Sequence, residues 1–413
     1  MSKKVYVIIG AGAGGLVIAK GLIRAKKQVI VIEKGAFGGD CTNFGCIPSK
    51  TLIASAKVAH NISNAENFGL EGIKSNFSAD LALEQVRQMI QRFKATEDVD
   101  ALKELGIQTI QGHARFLDPH TLDVEKEDGS KEQIKADKII IACGSSPIVP
   151  SIEGLDEDSF LTNETIFDLK TVPKELVILG GGPIGCELAQ AYQRLGSSVT
   201  ILHKHGQLFE KSSSRVSPII LETFKKEGIK VIFNANLKKI EKGFRKHVLV
   251  YEDNITMQER TLHCDKLLIA IGRRPNVADL DLEKAGIQYS DKGIYIDEYG
   301  RTNMPHVLSC GDVTGRPFFT HLAENRARGI LVNLLLPFGI KKKLQILQPI
   351  PRVTYTDPEV ASIGLHPDRA KEVFGEKRIA SYYVPLSEVD RAICERREEG
   401  FIEITTRRWS SQI

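Results

Sequence analysis

Short apolar runs closed by glycine punctuate this chain, and two of them are near copies of each other. Val5 to Ile9 runs into Gly10-Ala11-Gly12-Ala13-Gly14-Gly15, and Val177-Ile178-Leu179 runs into Gly180-Gly181-Gly182-Pro183-Ile184-Gly185, an offset of 170 residues. An apolar run of strand length, then glycines, then residues spaced as a helix face predicts a buried strand, a tight turn and a helix. Val29 to Ile32 and Val199 to Leu202 predict the next strand of each copy. A second echo, Asp137 to Pro147 against Asp265 to Pro275, repeats at an offset of 128 residues and predicts a closing strand in each. Strands without polar alternation belong to parallel sheets covered on both faces. The expected fold class is therefore α/β, with two Rossmann-like dinucleotide-binding domains.

Gly10, Gly12 and Gly15, and again Gly180, Gly182 and Gly185, are spaced as Gly-x-Gly-x-x-Gly between strand and helix. That spacing lets a pyrophosphate approach the helix N-terminus. Glu33 ends the first copy's second strand, where an acid accepts hydrogen bonds from an adenosine ribose. The first copy carries about 42 more residues than the second before its closing strand, 170 less 128. The extra length includes predicted helices over Ser49 to His60 and Ala79 to Phe93, and the stretch Gly39 to Lys50.

Within that stretch four residues separate Cys41 from Cys46. An unbroken helix would hold such positions roughly 8 to 9 Å apart, beyond the ~7 Å Cα limit of a disulfide. The backbone is therefore expected to curl there, with Gly45 supplying freedom and Pro48 in the first turn of the next helix. A helix N-terminus beside a thiol favours the thiolate. Two buried cysteines, or half of a zinc site, are the plain alternatives for such a pair. No second close cysteine pair completes a metal site, and none is expected. In this glycine-rich context the pair reads as a redox-active disulfide. Two nucleotide sites and one dithiol are the layout of an electron relay with a flavin between nicotinamide and disulfide.

Bulk properties narrow the classes. A chain of 413 residues, 42% hydrophobic and 26% charged, has room for two or three domains with ordinary cores. The net charge of +4 comes without a dense basic run, Lys341 to Lys343 reading as a solvated linker, so neither nucleic acid nor a membrane surface is an expected partner. Seven scattered cysteines, an odd count, do not form a secreted disulfide framework, and the cytoplasm is expected. Val5 to Ile9 is too short for a signal peptide core, and no stretch reaches the ~18 to 20 apolar residues of a membrane span.

With these motifs the chain resembles the FAD-containing pyridine nucleotide-disulfide oxidoreductases, the group of dihydrolipoyl dehydrogenase, glutathione reductase and mercuric reductase, over roughly Val5 to Phe401. The resemblance implies a discontinuous FAD domain over 1–150 and 276–345, an NAD(P) domain over 151–275, and part of an α+β interface domain over 346–413. Ser309-Cys310-Gly311-Asp312 resembles the second FAD segment, whose aspartate meets the ribityl chain. Ala114 and Gly144 join the implied FAD site, and Gly272 the nicotinamide site. By the same resemblance Cys46 faces the flavin as the charge-transfer thiolate, while Cys41 exchanges with substrate. Lys50 would lie near flavin N5 and pair with Glu187, although alone they read as a surface lysine and a solvated first-turn acid. Electrons would pass from NAD(P)H through FAD to the Cys41–Cys46 disulfide, and on to a small-molecule or protein disulfide or a metal ion. The family's assembly is a homodimer.

Nicotinamide choice turns on His203-Lys204-His205, where NAD sites carry an acid. Cations there suit a 2′-phosphate, so NADPH is expected, with NADH the alternative. Gly311 to Gly315 and Phe319-Thr320-His321 resemble the mercuric-reductase-like branch, and Pro48-Ser49-Lys50 departs from the consecutive lysines of glutathione reductases. The vicinal C-terminal cysteines and the leading Cys-x-x-Cys domain of mercuric reductases are not in this sequence.

Two departures carry expectations. Asp40 stands where the family usually has threonine, and a carboxylate beside Cys41 disfavours its thiolate. Arg352 to Glu359 and Gly400 to Ile404 resemble the interface domain, but Arg407-Arg408-Trp409-Ser410-Ser411 follows without the family's His and Glu pair. An incomplete interface domain is thus expected, with flavin reduction retained and disulfide turnover slowed. A flavin-binding remnant with little turnover and an NAD(P)H oxidase or diaphorase are the competing readings.

Overall fold

Valine and isoleucine fill the short strands because helices or further strands cover both faces of each sheet. The computed structural model describes residues 4–72, 78–156, 158–243, 246–337, 340–344 and 349–410. Its contacts divide the chain into two units, Met1–Pro48 with Val86–Ile148 and Arg273–Leu347, and Ser49–Gln85 with Val149–Gly272 and Gln348–Ile413. The segment 49–85, which the sequence reading groups with the first nucleotide domain, clusters in the second unit.

The first unit is built on β1 (Val5–Ile9), β2 (Gln28–Glu33), β3 (Gln108–Asp118), β4 (Thr121–Lys126), β5 (Lys131–Lys135), β6 (Lys138–Ile141) and β18 (Val307–Ser309), in sheet order β18-β6-β1-β2-β3-β4-β5. From β18 to β3 neighbouring strands are parallel, and β3, β4 and β5 are antiparallel. Alternation within the parallel strands splits the core. Val7, Ile9, Ile30, Ile32, Ile139 and Ile141 pack on one face with the antiparallel strands. Tyr6, Ile8, Val29, Val31 and Ile140 pack on the other with Leu16, Ile18 and Leu22 of α1 (Ala13–Arg24) and Ala327 and Ile330 of α8 (Thr320–Leu335). Each buried Val, Ile or Leu among them contributes about 1.5–3 kcal/mol by leaving water. α8 approaches α1 closely: a Cβ on Gly21 would lie 2.1 Å from the Leu331 side chain, and one on Gly14 3.7 Å from Ala323 O. A short antiparallel pair, β7 (Ser145–Pro147) with β15 (Arg273–Pro275), and the two-residue strands β16 (Tyr289–Ser290) and β17 (Gly293–Ile294) complete the unit.

The second unit holds a four-stranded parallel sheet in order β10-β9-β8-β14, from β8 (Glu175–Leu179), β9 (Ser198–Leu202), β10 (Lys230–Ile232) and β14 (Lys266–Ile269). Antiparallel β11 (Ala235–Lys242), β12 (His247–Asp253) and β13 (Glu259–Cys264) share a core with it, through Leu237, Ile240, Leu249 and Tyr251 against Val177, Leu179, Leu202 and Leu267. From residue 349 on the unit adds two hairpins, β19 (Arg352–Thr354) with β20 (Val360–Ser362) and β21 (Ile379–Pro385) with β22 (Phe401–Arg407).

The two sequence echoes are repeated in structure. α6 (Pro183–Arg194) has the bounds of α1 moved on by 170 residues, and β14 and β15 have those of β6 and β7 moved on by 128. Hydrogen bonds repeat as well. Asp137 accepts from Val5 N and Asp265 from Glu175 N, each at 2.8 Å. No helix among the described residues is long and apolar enough to cross a membrane.

Candidate active site

The two fingerprint turns share one construction. Gly10 (φ +106°) and Gly180 (φ +123°) hold a conformation that favours glycine, and a Cβ on either would lie 2.4 Å from a carbonyl of the closing strand's end, Ala142 or Ala270. A Cβ on Gly15 would sit 2.0 Å from Gly10 O, and one on Gly185 2.1 Å from Gly180 O, so the helix can start this close to the strand only as glycine. Gly12 and Gly182 precede α1 and α6 without a side-chain cap, leaving the first amides of both helices to a ligand. Gly144 and Gly272 follow the closing strands at positive φ, again 128 residues apart. Ala114 lies in β3 opposite Val124 and is buried in the core.

At the end of the second strand the copies diverge. Glu33 Oε2 accepts from Ala11 N and Oε1 from Gly35 N, both at 2.7 Å. The position equivalent to Glu33 is His203, whose Nδ1 accepts from Gly181 N at 3.0 Å. That bond requires the Nε2–H tautomer. Burial also pushes the imidazole below the ordinary histidine range, against Glu210, which raises it. The cation expected at His203 is therefore a neutral ring, because its side chain closes the glycine turn. Lys204 beside it is exposed.

The curl expected between the cysteines is a helix break. The five-residue α2 (Gly39–Asn43) ends at Phe44, and the 18-residue α3 (Cys46–Ser63) begins at Cys46, with Pro48 in its first turn. α2 rests on the first fingerprint, since a Cβ on Gly39 would lie 2.5 Å from Gly12 Cα. Neither cysteine is in a disulfide, and both are half-buried. Cys41 is within hydrogen-bonding reach of Cys46, and that bond, with burial and the charge Cys46 would carry, pushes the Cys41 thiol up. Thr320, the first residue of α8, holds its hydroxyl 3.7 Å from Cys46 Sγ and also bonds Cys41, which opposes the rise.

A polar chain continues within the same unit. Ser145 Oγ donates to Asp312 Oδ2 at 2.7 Å and accepts from Arg273 Nε at 2.8 Å. Arg273 Nη2 also reaches the Ser145 carbonyl at 2.7 Å and Asp40 Oδ1 at 2.9 Å. Burial holds the Asp312 carboxyl above its ordinary range, against Ser145 and Arg273.

In the second unit Lys50 Nζ donates to Glu187 Oε2 at 2.9 Å, and Tyr355 N donates to Oε1 at 2.9 Å. Glu187 is buried, so it is no solvated first-turn acid. The ammonium lies 4.5 Å from the centroid of the Tyr355 ring. Thr320, Arg273, Ser145 and Tyr355 were not among the residues singled out from sequence. Three of them carried a signal without a role: Thr320 lies in the Phe319-Thr320-His321 motif, and Ser145 and Arg273 hold equivalent positions in the second echo. Among the described residues no group of three or more His, Cys, Asp or Glu could hold a metal ion.

Twin dinucleotide folds with a dithiol beside the first fingerprint define a two-nucleotide oxidoreductase. The description "pyridine nucleotide-disulphide oxidoreductase" matches residues 4–327, and that family's dimerisation domain matches residues 350–413. The chain belongs to the pyridine nucleotide-disulphide oxidoreductase family, whose members use FAD and NAD(P)H. It is 32% identical over 401 residues to a mercuric reductase of Bacillus cereus, covering 97% of this chain and 62% of that protein. It is also 32% identical to a dihydrolipoyl dehydrogenase of Bacillus subtilis (strain 168), covering 96% of this chain and 84% of that one. Among solved structures, the Cu(II) complex of the HOCl-induced flavoprotein disulfide reductase RclA from Escherichia coli superposes with a TM-score of 0.86 at 26% identity, covering 99% of this chain and 87% of that one.

Proposed function

We propose that this chain is an FAD-dependent NAD(P)H:disulfide oxidoreductase that draws electrons from NADPH, or less readily NADH, and delivers them through Cys41 and Cys46 to a disulfide or a metal ion. The observation that carries the reading is the thiol pair at the break between α2 and α3, seated on the first fingerprint. FAD, when bound, supplies two-electron exchange between nicotinamide and disulfide. The first unit suits it: α1 has uncapped amides for a pyrophosphate, Gly39 packs on Gly12, and Glu33 and Asp312 offer carboxylates.

The remaining chemistry belongs to the chain. Cys46 opens an 18-residue helix, whose dipole favours its thiolate. The Cys41 thiol, once deprotonated, attacks a substrate disulfide and expels one sulfur as thiolate. Cys46 then displaces the second sulfur, re-forming the Cys41–Cys46 disulfide as substrate gains two electrons. Glu187 fixes the Lys50 ammonium through its ion pair. Metal ions remain a second substrate class, favoured by relatives named mercuric reductase and by the copper complex of RclA.

For nucleotide choice, His203 carries a buried Nε2–H where an acid would accept, and exposed Lys204 adds a charge, which supports NADPH. The match of residues 350–413 to a dimerisation domain, and exposed apolar side chains on its β21–β22 hairpin, support a homodimer. The compartment we infer is the cytoplasm, in keeping with seven scattered cysteines, an odd count.

Anaerobic titration with NADPH, and separately NADH, of protein whose Cys41–Cys46 pair has first been oxidised to the disulfide tests the function. Bleaching of a bound flavin with two new thiols per chain is expected, and Cys41→Ser should abolish the thiol gain. A colourless protein, or flavin that bleaches without new thiols, would overturn it.

A further inference from the structure

Asp40 occupies a place of its own in the dithiol loop. An ideal Cβ on Gly45 would lie 2.9 Å from Asp40 Oδ2, 3.0 Å from Asp40 O and 3.2 Å from Cys41 Cα. One carboxylate oxygen is thus tucked against the turn between the cysteines. The other accepts from Arg273 at 2.9 Å. Arg273 is far less exposed than Asp40, 11% against 41%, and its two bonds to Ser145 hold it in the β7–β15 pair. The guanidinium is therefore a fixed post and the aspartate the part that reaches for it.

Electrostatics follow from that placement. A lone carboxylate one residue from Cys41 would oppose a thiolate, and a lone guanidinium would favour one. Paired, they leave only a weak dipole at the dithiol. Of the other charged or titratable groups around the loop, Asp312 lies in the field of both Asp40 and Arg273, and the rest have partners of their own. Asp312 bonds Ser145, Arg326 of α8 bonds Thr314, Glu97 accepts from Thr42 on α2, and Lys50 of α3 pairs with Glu187. His321 follows Thr320 on α8, stacked on Phe319.

We propose that Asp40 is a positioning residue that clamps the dithiol turn to Arg273, and that the pair sets how readily Cys41 and Cys46 ionise. The inference rests on these two cysteines being the reacting pair, and it makes the threonine-to-aspartate departure a compensated charge, whose repulsion of a thiolate Arg273 offsets. The carboxylate is held in register by a cation that cancels it.

The test is the pH dependence of alkylation by iodoacetamide in the reduced protein, read separately at Cys41 and Cys46 by peptide mass spectrometry. It needs no FAD, nucleotide or substrate, so its result is independent of whether the oxidoreductase reading stands. Asp40→Asn, which keeps the shape but frees the Arg273 charge, is expected to raise the alkylation rate of the pair at neutral pH about three- to tenfold. Arg273→Gln, which leaves Asp40 uncompensated, should lower it by a similar factor. Near-ultraviolet circular dichroism identifies any variant that has lost its packing, and Asp40→Thr stands in for Asp40→Asn in that event. Unchanged profiles in folded variants, or shifts of the same sign for Asp40→Asn and Arg273→Gln, would overturn the proposal.

Discussion

His203 is the residue at which the two nucleotide domains part company. In the first copy a carboxylate accepts the fingerprint amide and keeps further lone pairs for a ligand; in the second an imidazole accepts it and has a donor left. Exchanging donor for acceptor should exchange the preferred nucleotide. His203→Glu is expected to move the NADPH to NADH ratio of kcat/KM at least tenfold toward NADH, measured by steady-state flavin-dependent oxidation of each nucleotide. An unchanged ratio would remove His203 from nucleotide choice. This position also marks a limit of legibility. Its basic character was visible in the sequence, but its protonation depends on a bond to Gly181 that only the folded turn creates. The partners of Thr320 and Tyr355 were hidden for a related reason, since each acquires its role from residues far away in the chain.

Strand, turn and helix at each fingerprint were legible because every glycine answers a local steric demand that no other residue meets. Element ends were less so: α3 begins three residues before the Ser49 expected, since Pro48 fits its first turn and does not define its start. The equivalence of the two turns can be read by experiment. Gly15→Ala and Gly185→Ala each drive a methyl to about the same distance from a carbonyl, 2.0 and 2.1 Å. Gly15→Ala should yield protein that loses its flavin on gel filtration. Gly185→Ala should keep flavin and lose reduction by either nucleotide, by at least tenfold in apparent rate. If both variants lost flavin alike, the turns would not serve separate nucleotides.

Across the whole molecule, protonation links stability to acidity. Burial is the leading cause that lowers His60, His113, His203, His247 and His306. The unfolded chain then takes up protons at about pH 6.5, before the folded one, so their contribution is present above that pH and lost as pH falls from there through the lower folded values. Asp312, raised by burial, acts in the opposite sense but nearer the carboxylate range. Thermal unfolding followed by circular dichroism should accordingly give a Tm that falls from pH 7.5 to 5.5; a flat or rising Tm would contradict it. The two-copy plan was legible at this scale from its offsets alone, whereas the grouping of 49–85 with the second unit was not, because no sequence repeat marks it. The late arrival of β18 has a further consequence. It completes the sheet edge beside β6, with Val307 against Ile139, and β15 pairs β7 across the same gap. On a ribosome adding about 5–20 residues per second, the β6 edge waits roughly 10 to 30 s for its partner, while every strand of the second copy's parallel sheet has already emerged. The copy that comes second in the chain can thus complete its parallel sheet first, while the copy that comes first keeps its β6 edge open until β18 arrives.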